Sequence, residues 1–181
     1  FLYDVKTQDE TRLTYNLRAN QPSVSHKQDK VVFVFQRDGT SNLGIVDIDG
    51  KNFRALTTFA NGEQVHGPRF SPDDSKIIFD YSDFDNRDIA VYNINSGKYD
   101  FLLESRNDER NGFFLNDSTI IYSADYSGIF NVYSFSINKG RRTQLTNVTG
   151  GAFMPALNPN GDLVYSGYTS SGYKLFLVKK D

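Results

Sequence analysis

Polar and apolar residues alternate along this chain in short runs that never keep a helical spacing for more than a turn. Three runs are apolar at every position: Val31-Val32-Phe33-Val34-Phe35, Ile77-Ile78-Phe79 and Ile120-Ile121-Tyr122. A strand that shows apolar side chains on both faces must be covered on both. Each run therefore predicts a strand inside a stack of sheets. Downstream of each comes an alternating run closed by glycine: Leu43 to Asp49 before Gly50, Ile89 to Asn95 before Gly97, and Asn131 to Asn138 before Gly140. A last short run ends at Leu56-Thr57, Leu102-Leu103 or Leu145-Thr146. The pattern predicts strand, turn, strand, loop, strand, turn, strand, repeated along the chain.

The aromatic residues that mark the second run, Phe33, Phe79, Tyr122 and Tyr165, recur every 43 to 46 residues. That period is the length of one four-stranded propeller blade. The stretch Pro68 to Phe79 returns as Pro155 to Tyr165, one residue shorter in the turn, and weaker copies begin at Pro22 and Asn111. All five prolines (Pro22, Pro68, Pro72, Pro155, Pro159) fall at repeat-equivalent places, and the third unit has lost both of its own. In Ser71-Pro72-Asp73-Asp74 and Asn158-Pro159-Asn160-Gly161, Pro presets φ while Ser or Asn bonds the backbone ahead, which predicts hairpin turns.

The expected fold is all-β, a β-propeller of four-stranded antiparallel blades with about four repeat units in a single region, 1–181. A partial blade spans 1–18, units span 19–64, 65–110 and 111–150, and a partial unit spans 151–181. The chain starts in a third strand (Phe1 to Val5) and stops in a third strand (Leu175 to Val178), so joining its ends leaves a surplus strand. Three arrangements follow: a strained four-bladed ring, an open arc that self-associates through its blade edges, or a portion of a larger six- to eight-bladed propeller. The last is preferred, and Phe1, already inside an apolar stretch, reads as the start of a mature or excised piece.

Composition narrows the chemistry. The 20 Lys plus Arg and 22 Asp plus Glu are scattered, with a formal charge of -2, so no basic stripe is available for nucleic acid. The longest apolar runs are far shorter than a membrane helix requires, and no membrane insertion is expected. The absence of Cys removes disulfides, thiolate nucleophiles and Cys-based zinc sites. There is no Gly-x-Ser-x-Gly elbow and no His-Glu-x-x-His, and only His26 and His66 are available as a base. Gly39 to Gly44 has the spacing of a phosphate loop, but Ile45 stands where Lys is required. The chain is expected to be no enzyme and to carry no cofactor or metal. Asp80, Asp83, Asp85 and Asp88 are expected together in the loop between the second and third strands of one unit. Without the glycine of a calcium loop they read as solvated turn formers.

A unit reading Pro-x-Phe-Ser-Pro-Asp-x-x-Lys-Ile-x-Phe, then Asp-Ile-x-Val, a Gly turn and Leu-Thr, resembles the WD40-like repeat of TolB-type β-propellers. Pro68 to Leu103 is the clearest copy, and Val32 to Thr57 is similar. The resemblance implies a periplasmic or cell-envelope protein of bacteria that binds a protein or peptide partner at the mouth of the propeller channel. It also admits the gating propeller of a prolyl-oligopeptidase or tricorn-like serine peptidase whose catalytic domain lies outside this chain, and a purely structural module of an envelope protein. In such a fold the first strand of each unit lines the channel. That places Arg18, Asn20, Glu63, Gln64, His66, Glu109, Arg110 and Asn111 around one mouth as the candidate rim, with Phe113, Phe114 and Phe153 near the channel-side strand.

Overall fold

The structure is a computed structural model that describes residues 1–180. A two-stranded piece, β1 (Leu2–Tyr3) with β2 (Glu10–Thr11), precedes three four-stranded antiparallel sheets. The first takes β3 (Arg18–Val24), β4 (Lys30–Arg37), β5 (Thr40–Asp47) and β6 (Arg54–Ala55). The second takes β7 (Gln64–Phe70), β8 (Lys76–Ser82), β9 (Asp88–Asn93) and β10 (Lys98–Leu103). β11 (Glu109–Asn116), β12 (Thr119–Ala124), β13 (Asn131–Ser136) and β14 (Arg141–Gln144) make the third. The last sheet has three strands, β15 (Ala152–Leu157), β16 (Leu163–Thr169) and β17 (Gly172–Val178). Each strand pairs with its neighbour in sequence, so every sheet is a meander.

The turns form as the repeated Ser/Asn-Pro pattern requires. The Asp74 N–H donates to Ser71 O and the Gly161 N–H to Asn158 O, both at 2.9 Å, and the Gln28 N–H closes the same turn on Ser25 O without a proline. Asp73 accepts bonds from the hydroxyls of Ser71 and Ser75 and from the Ser75 N–H, which hold its carboxyl far below the usual carboxylate range. Asp74 points the other way. Its carboxylate accepts the N–H groups of His26 and Lys27, at 2.8 and 2.9 Å, and so ties the turn of the second sheet to that of the first.

Stacking explains why the second strands are apolar throughout. Ile77 and Phe79 of β8 pack with Val32, Val34, Leu43 and Ile45 of the first sheet. Ile78, between them on the chain, points to the opposite face and packs with Ile89 against Phe114, Ile120 and Tyr122 of the third. Ile121 and Val132 repeat the arrangement against Ala152, Leu163 and Tyr165. The leading face of the first sheet, Val31, Phe33 and Val46, is covered by Leu13 and Leu17 from the N-terminal segment.

The recurring Thr after the fourth strand also has a job. The Thr57 hydroxyl accepts the Leu43 N–H and donates to Asn42 Oδ1, each at 2.9 Å, and Thr146 does the same with Val132 and Asn131. These buried clasps fasten the end of the fourth strand to the third. In the second sheet Asp88 takes the Asn position, and its carboxylate accepts the Ser105 N–H instead.

Because Ile78 is fully buried between two sheets, Ile78→Ala is expected to destabilise the chain by about 2–5 kcal/mol in urea unfolding. A change near zero would contradict this assignment of faces.

Candidate binding surface along the first strands

The first strand of each of the four larger sheets carries the same irregularity. Its pairing with the second strand slips between Asn20 and Ser23, His66 and Arg69, Arg110 and Phe113, and Phe153 and Ala156, and β11 slips once more between Phe114 and Asn116. Each of the four shared slips holds one residue of positive φ: Gln21 (50°), Gly67 (53°), Asn111 (59°) and Met154 (50°). These are β-bulges at equivalent positions. A bulge leaves a backbone N–H without a ladder partner, and three of the four bulges place Pro next (Pro22, Pro68, Pro155), which has no N–H to lose.

The remaining bulge N–H groups are met from the preceding sheet. Gln21 Oε1 accepts the Gly67 N–H at 2.6 Å, and Asn111 Oδ1 accepts the Met154 N–H at 3.3 Å. Gly67 has no side chain to offer the third sheet. There Asp80 of β8 substitutes, accepting the N–H of Asn111 at 3.0 Å and of Gly112 at 3.4 Å. Gly112 occupies the proline position of the third unit. A Cβ on it would approach Ile78 Cδ1 at 3.0 Å and Ile89 Cδ1 at 3.1 Å, so the loss of proline follows from larger neighbours, and Asp80 receives the N–H that the loss exposes.

Asp80 therefore belongs to a strand and is buried, not part of an acidic loop with Asp83 and Asp85; its carboxylate bonds backbone across a sheet interface, with the Arg87 guanidinium 3.9 Å away. Hydrogen bonds to an ionised group contribute about 1.5–3 kcal/mol each, while burying the charge costs several. Burial wins, and the carboxyl is pushed up to about 6. Asp88 starts β9 and is engaged by Ser105. Among the described residues no three His, Cys, Asp or Glu side chains are placed to hold a metal ion.

The residue before each bulge residue stands at the inner end of the trailing face: Asn20, His66, Arg110 and Phe153, paired with Val34, Asp80, Ser123 and Ser166. Asn20 is exposed and His66 half-buried; burial, followed by the charges of Arg87 and Arg110, lowers the imidazole's proton affinity and favours its neutral form. Arg110 is clamped by Asp108 and lies over the Phe130 ring, 4.5 Å from its centroid. Phe130 in turn packs on Phe153 at 4.9 Å. Beyond the bulges a groove of about 440 Å³ crosses three first strands, lined among others by Gln21, Ser23, Arg69 and Phe113. The Arg69 guanidinium sits 5.5 Å from the centre of the Phe113 ring.

The other rim candidates are placed differently. Arg18 is exposed at the start of β3. Gln64 donates to the carbonyls of Gly39 and Gly62, and Glu63 accepts the Asn61 N–H, so both brace the loop entering β7. Asn111 is engaged with Met154. Glu109 is not on the rim. It is 1% exposed, at the position held by Val65 and Ala152 in neighbouring sheets, and it faces the interface with the second sheet. Its Oε1 accepts the hydroxyls of Ser105 at 2.6 Å and Tyr126 at 2.8 Å, and burial raises its carboxyl. Gln21, Arg69 and Arg87 were not among the sequence candidates; the signal for Gln21 was its place directly before a repeat proline.

No family model and no curated protein matches the chain. Among solved structures it is similar to TolB from Acinetobacter baumannii, with 21% identity and a TM-score of 0.77 over 97% of this chain and 44% of that one. The fold is a β-propeller similar to that of TolB. A putative TolB from Agrobacterium tumefaciens gives 16% identity and 0.76 over 93% of this chain and 62% of that one. A puromycin-hydrolyzing peptidase of Mycobacterium tuberculosis gives 15% and 0.74 over 93% and 31%. The chain thus spans less than two thirds of each of these proteins, and at such identities the likeness establishes the propeller fold alone.

The Asp80 assignment has a pH signature. Because its folded-state pKa is raised, its contribution is fully present below the unfolded value near 4 and is lost as pH rises through about 6. Urea unfolding at pH 4.5 and 7.5 is expected to show this loss in the native chain and to lose that part of the pH dependence in Asp80→Asn; equal pH dependence in the two proteins would exclude the assignment.

Proposed function

We propose that this chain is a non-catalytic propeller scaffold that binds a protein or an extended peptide across its first strands, in a bacterial cell envelope. The observation that carries the reading is a contrast between positions within the repeat. Positions that pack between sheets repeat their chemistry: Val32, Ile78 and Ile121 are all aliphatic, as is Val164 at the same place in the last sheet. The position before the bulge does not; it is Asn20, His66, Arg110 and Phe153 on one repeated backbone geometry. Four different side chains on an identical frame, at the inner edge of adjacent sheets, are what reading a sequence of residues requires, whereas packing alone would favour one residue type.

The groove beside this row supports an extended ligand, with Arg69 and Phe113 offering a cation and an aromatic face. The row stands on strands paired in a sheet rather than on loops, which lowers the ordering cost when it binds. The envelope location and a protein partner rest on the likeness to TolB.

A second reading is favoured by the likeness to the puromycin-hydrolyzing peptidase. There the same inner surface filters substrates for a hydrolase domain outside this chain. A Gly-x-Ser-x-Gly domain encoded in the same gene would select that reading.

Selection of a displayed peptide library on the purified chain, with NMR mapping of the bound peptide, tests the proposal. Peptides are expected to shift amides of β3, β7 and β11, and Asn20→Ala and His66→Ala to weaken binding about tenfold each, roughly 1.4 kcal/mol, with melting unchanged. Shifts confined to β6, β10 and β14 would overturn it.

A further inference from the structure

The groove beyond the bulges carries charge of one sign only. Three consecutive sheets build it: Gln21, Ser23 and the hairpin residue His26 come from the first, Arg69 from the second and Phe113 from the third. The chain has 22 Asp plus Glu, yet none of them lines this space of about 440 Å³. Arg69 is exposed, and among the described residues its guanidinium forms no ion pair. What positions it is the Phe113 ring, whose centre lies 5.5 Å away, a contact that leaves the N–H groups of the cation free to donate. Gln21 Oε1 accepts the Gly67 N–H at 2.6 Å, so the part of that side chain left over is the amino group, a pure donor. The half-buried Ser23 hydroxyl adds another donor. Asp74, which meets His26 Nδ1 at 3.1 Å, does not offset this charge. Its side chain is 9% exposed and its oxygens take the N–H groups of His26 and Lys27.

We propose that the groove is a carboxylate-binding site. It takes a carboxylate, from the C-terminus or an acidic side chain of a peptide, on Arg69, with Gln21 and Ser23 as further donors and the apolar body beside the carboxylate against Phe113. The inference deepens the peptide-binding reading and rests on it for the kind of ligand. A guanidinium meets a planar carboxylate through two parallel N–H···O bonds, a match that a neutral amide lacks. A cationic residue would face Arg69 as a like charge, and the lining holds no acid to compensate. A phosphate group carries close to two charges and would need a second cation beside Arg69, whereas a carboxylate carries one. The groove thereby anchors one end of the ligand, and the row Asn20, His66 and Arg110 lies on the same three strands on the other side of the bulges.

NMR titration of the purified chain with short acetylated peptides tests this. Acetyl-Ala-Ala-Phe with a free C-terminus carries the carboxylate at its end, acetyl-Ala-Glu-Phe-amide carries it on a side chain, and acetyl-Ala-Ala-Phe-amide has none. At least one acidic peptide is expected to bind about tenfold or more tightly than the neutral one, shifting the amides of Gly67, Arg69 and Phe113; the peptide that does so identifies the source of the carboxylate. Arg69→Gln is expected to abolish the preference, with circular dichroism unchanged because the residue is exposed. Arg141→Gln, the same change of charge on the outer strand β14, is expected to keep it. A neutral peptide that binds at the same amides as tightly as both acidic ones would overturn the carboxylate site and leave the peptide-binding reading standing. The site is also overturned if Arg69→Gln keeps the preference, if inorganic phosphate binds there more tightly than the acidic peptides, or if no peptide shifts these amides. An Arg69-dependent preference in a chain from which the library selection yields no peptide would contradict the peptide-binding reading and not this site.

Discussion

The sheets within the stack each bury both of their faces, and most other features follow from meeting that requirement by stacking. A second strand such as β8 sends Ile77 and Ile78 into two different interfaces, which is why its polarity does not alternate. A third strand then needs its own apolar residue on the trailing face, supplied by Leu43, Ile89 and Val132. Since only the first strands of adjacent sheets come together at the inner edge, their backbones must be shaped to fit one another. The bulges do that shaping.

Bulges create donors, and the chain disposes of them by two means. Proline deletes one N–H, and a side chain from the sheet before accepts the N–H of the bulge residue that precedes it. The third unit shows how the means substitute for one another. With Gly112 in place of proline and Gly67 offering no acceptor, two donors converge on one spot, and the Asp80 carboxylate, with two oxygens, takes both. Ser123 is the Asp80 equivalent in the next sheet, where the unit that follows has Pro155 at the Gly112 position, and its buried hydroxyl makes no hydrogen bond within the chain. A polar group at this position has a use only where a donor opposes it.

The repeat, its period and the turns were legible in the sequence because they rest on local chemistry: apolar runs, Ser/Asn-Pro turns and a residue spacing. The placement of Asp80 and Glu109 was not. Asp80 stands three residues before an acidic stretch and so reads as part of a loop, yet the register of β8 with β9 turns it inward. Glu109 reads as a rim residue because it begins a strand, yet alternation from Val65 and Ala152 puts it in an interface where Ser105 and Tyr126 meet it. The donors that meet Asp80 lie on the next sheet, 31 and 32 residues distant, and Tyr126, which meets Glu109, stands 17 residues away beyond a further strand. No local pattern encodes such a partner. The inner row was partly legible, with Asn20, His66 and Arg110 among the candidates, because strand order alone places it. Gln21 and Arg69 needed the bulge to be seen.

Function enters where the stacking requirement ends. Residues that hold the sheets together repeat, and those at the inner edge differ from sheet to sheet, which is the contrast on which the proposed recognition rests. The account stands or falls on coverage of both faces as the source of each sheet's stability. Amide hydrogen exchange measures this directly. The second strands covered on both sides, β8 and β12, should exchange slowest, and β16, covered on one face only, should exchange markedly faster despite its full set of strand hydrogen bonds. Equal protection of β16 and β8 would contradict the account.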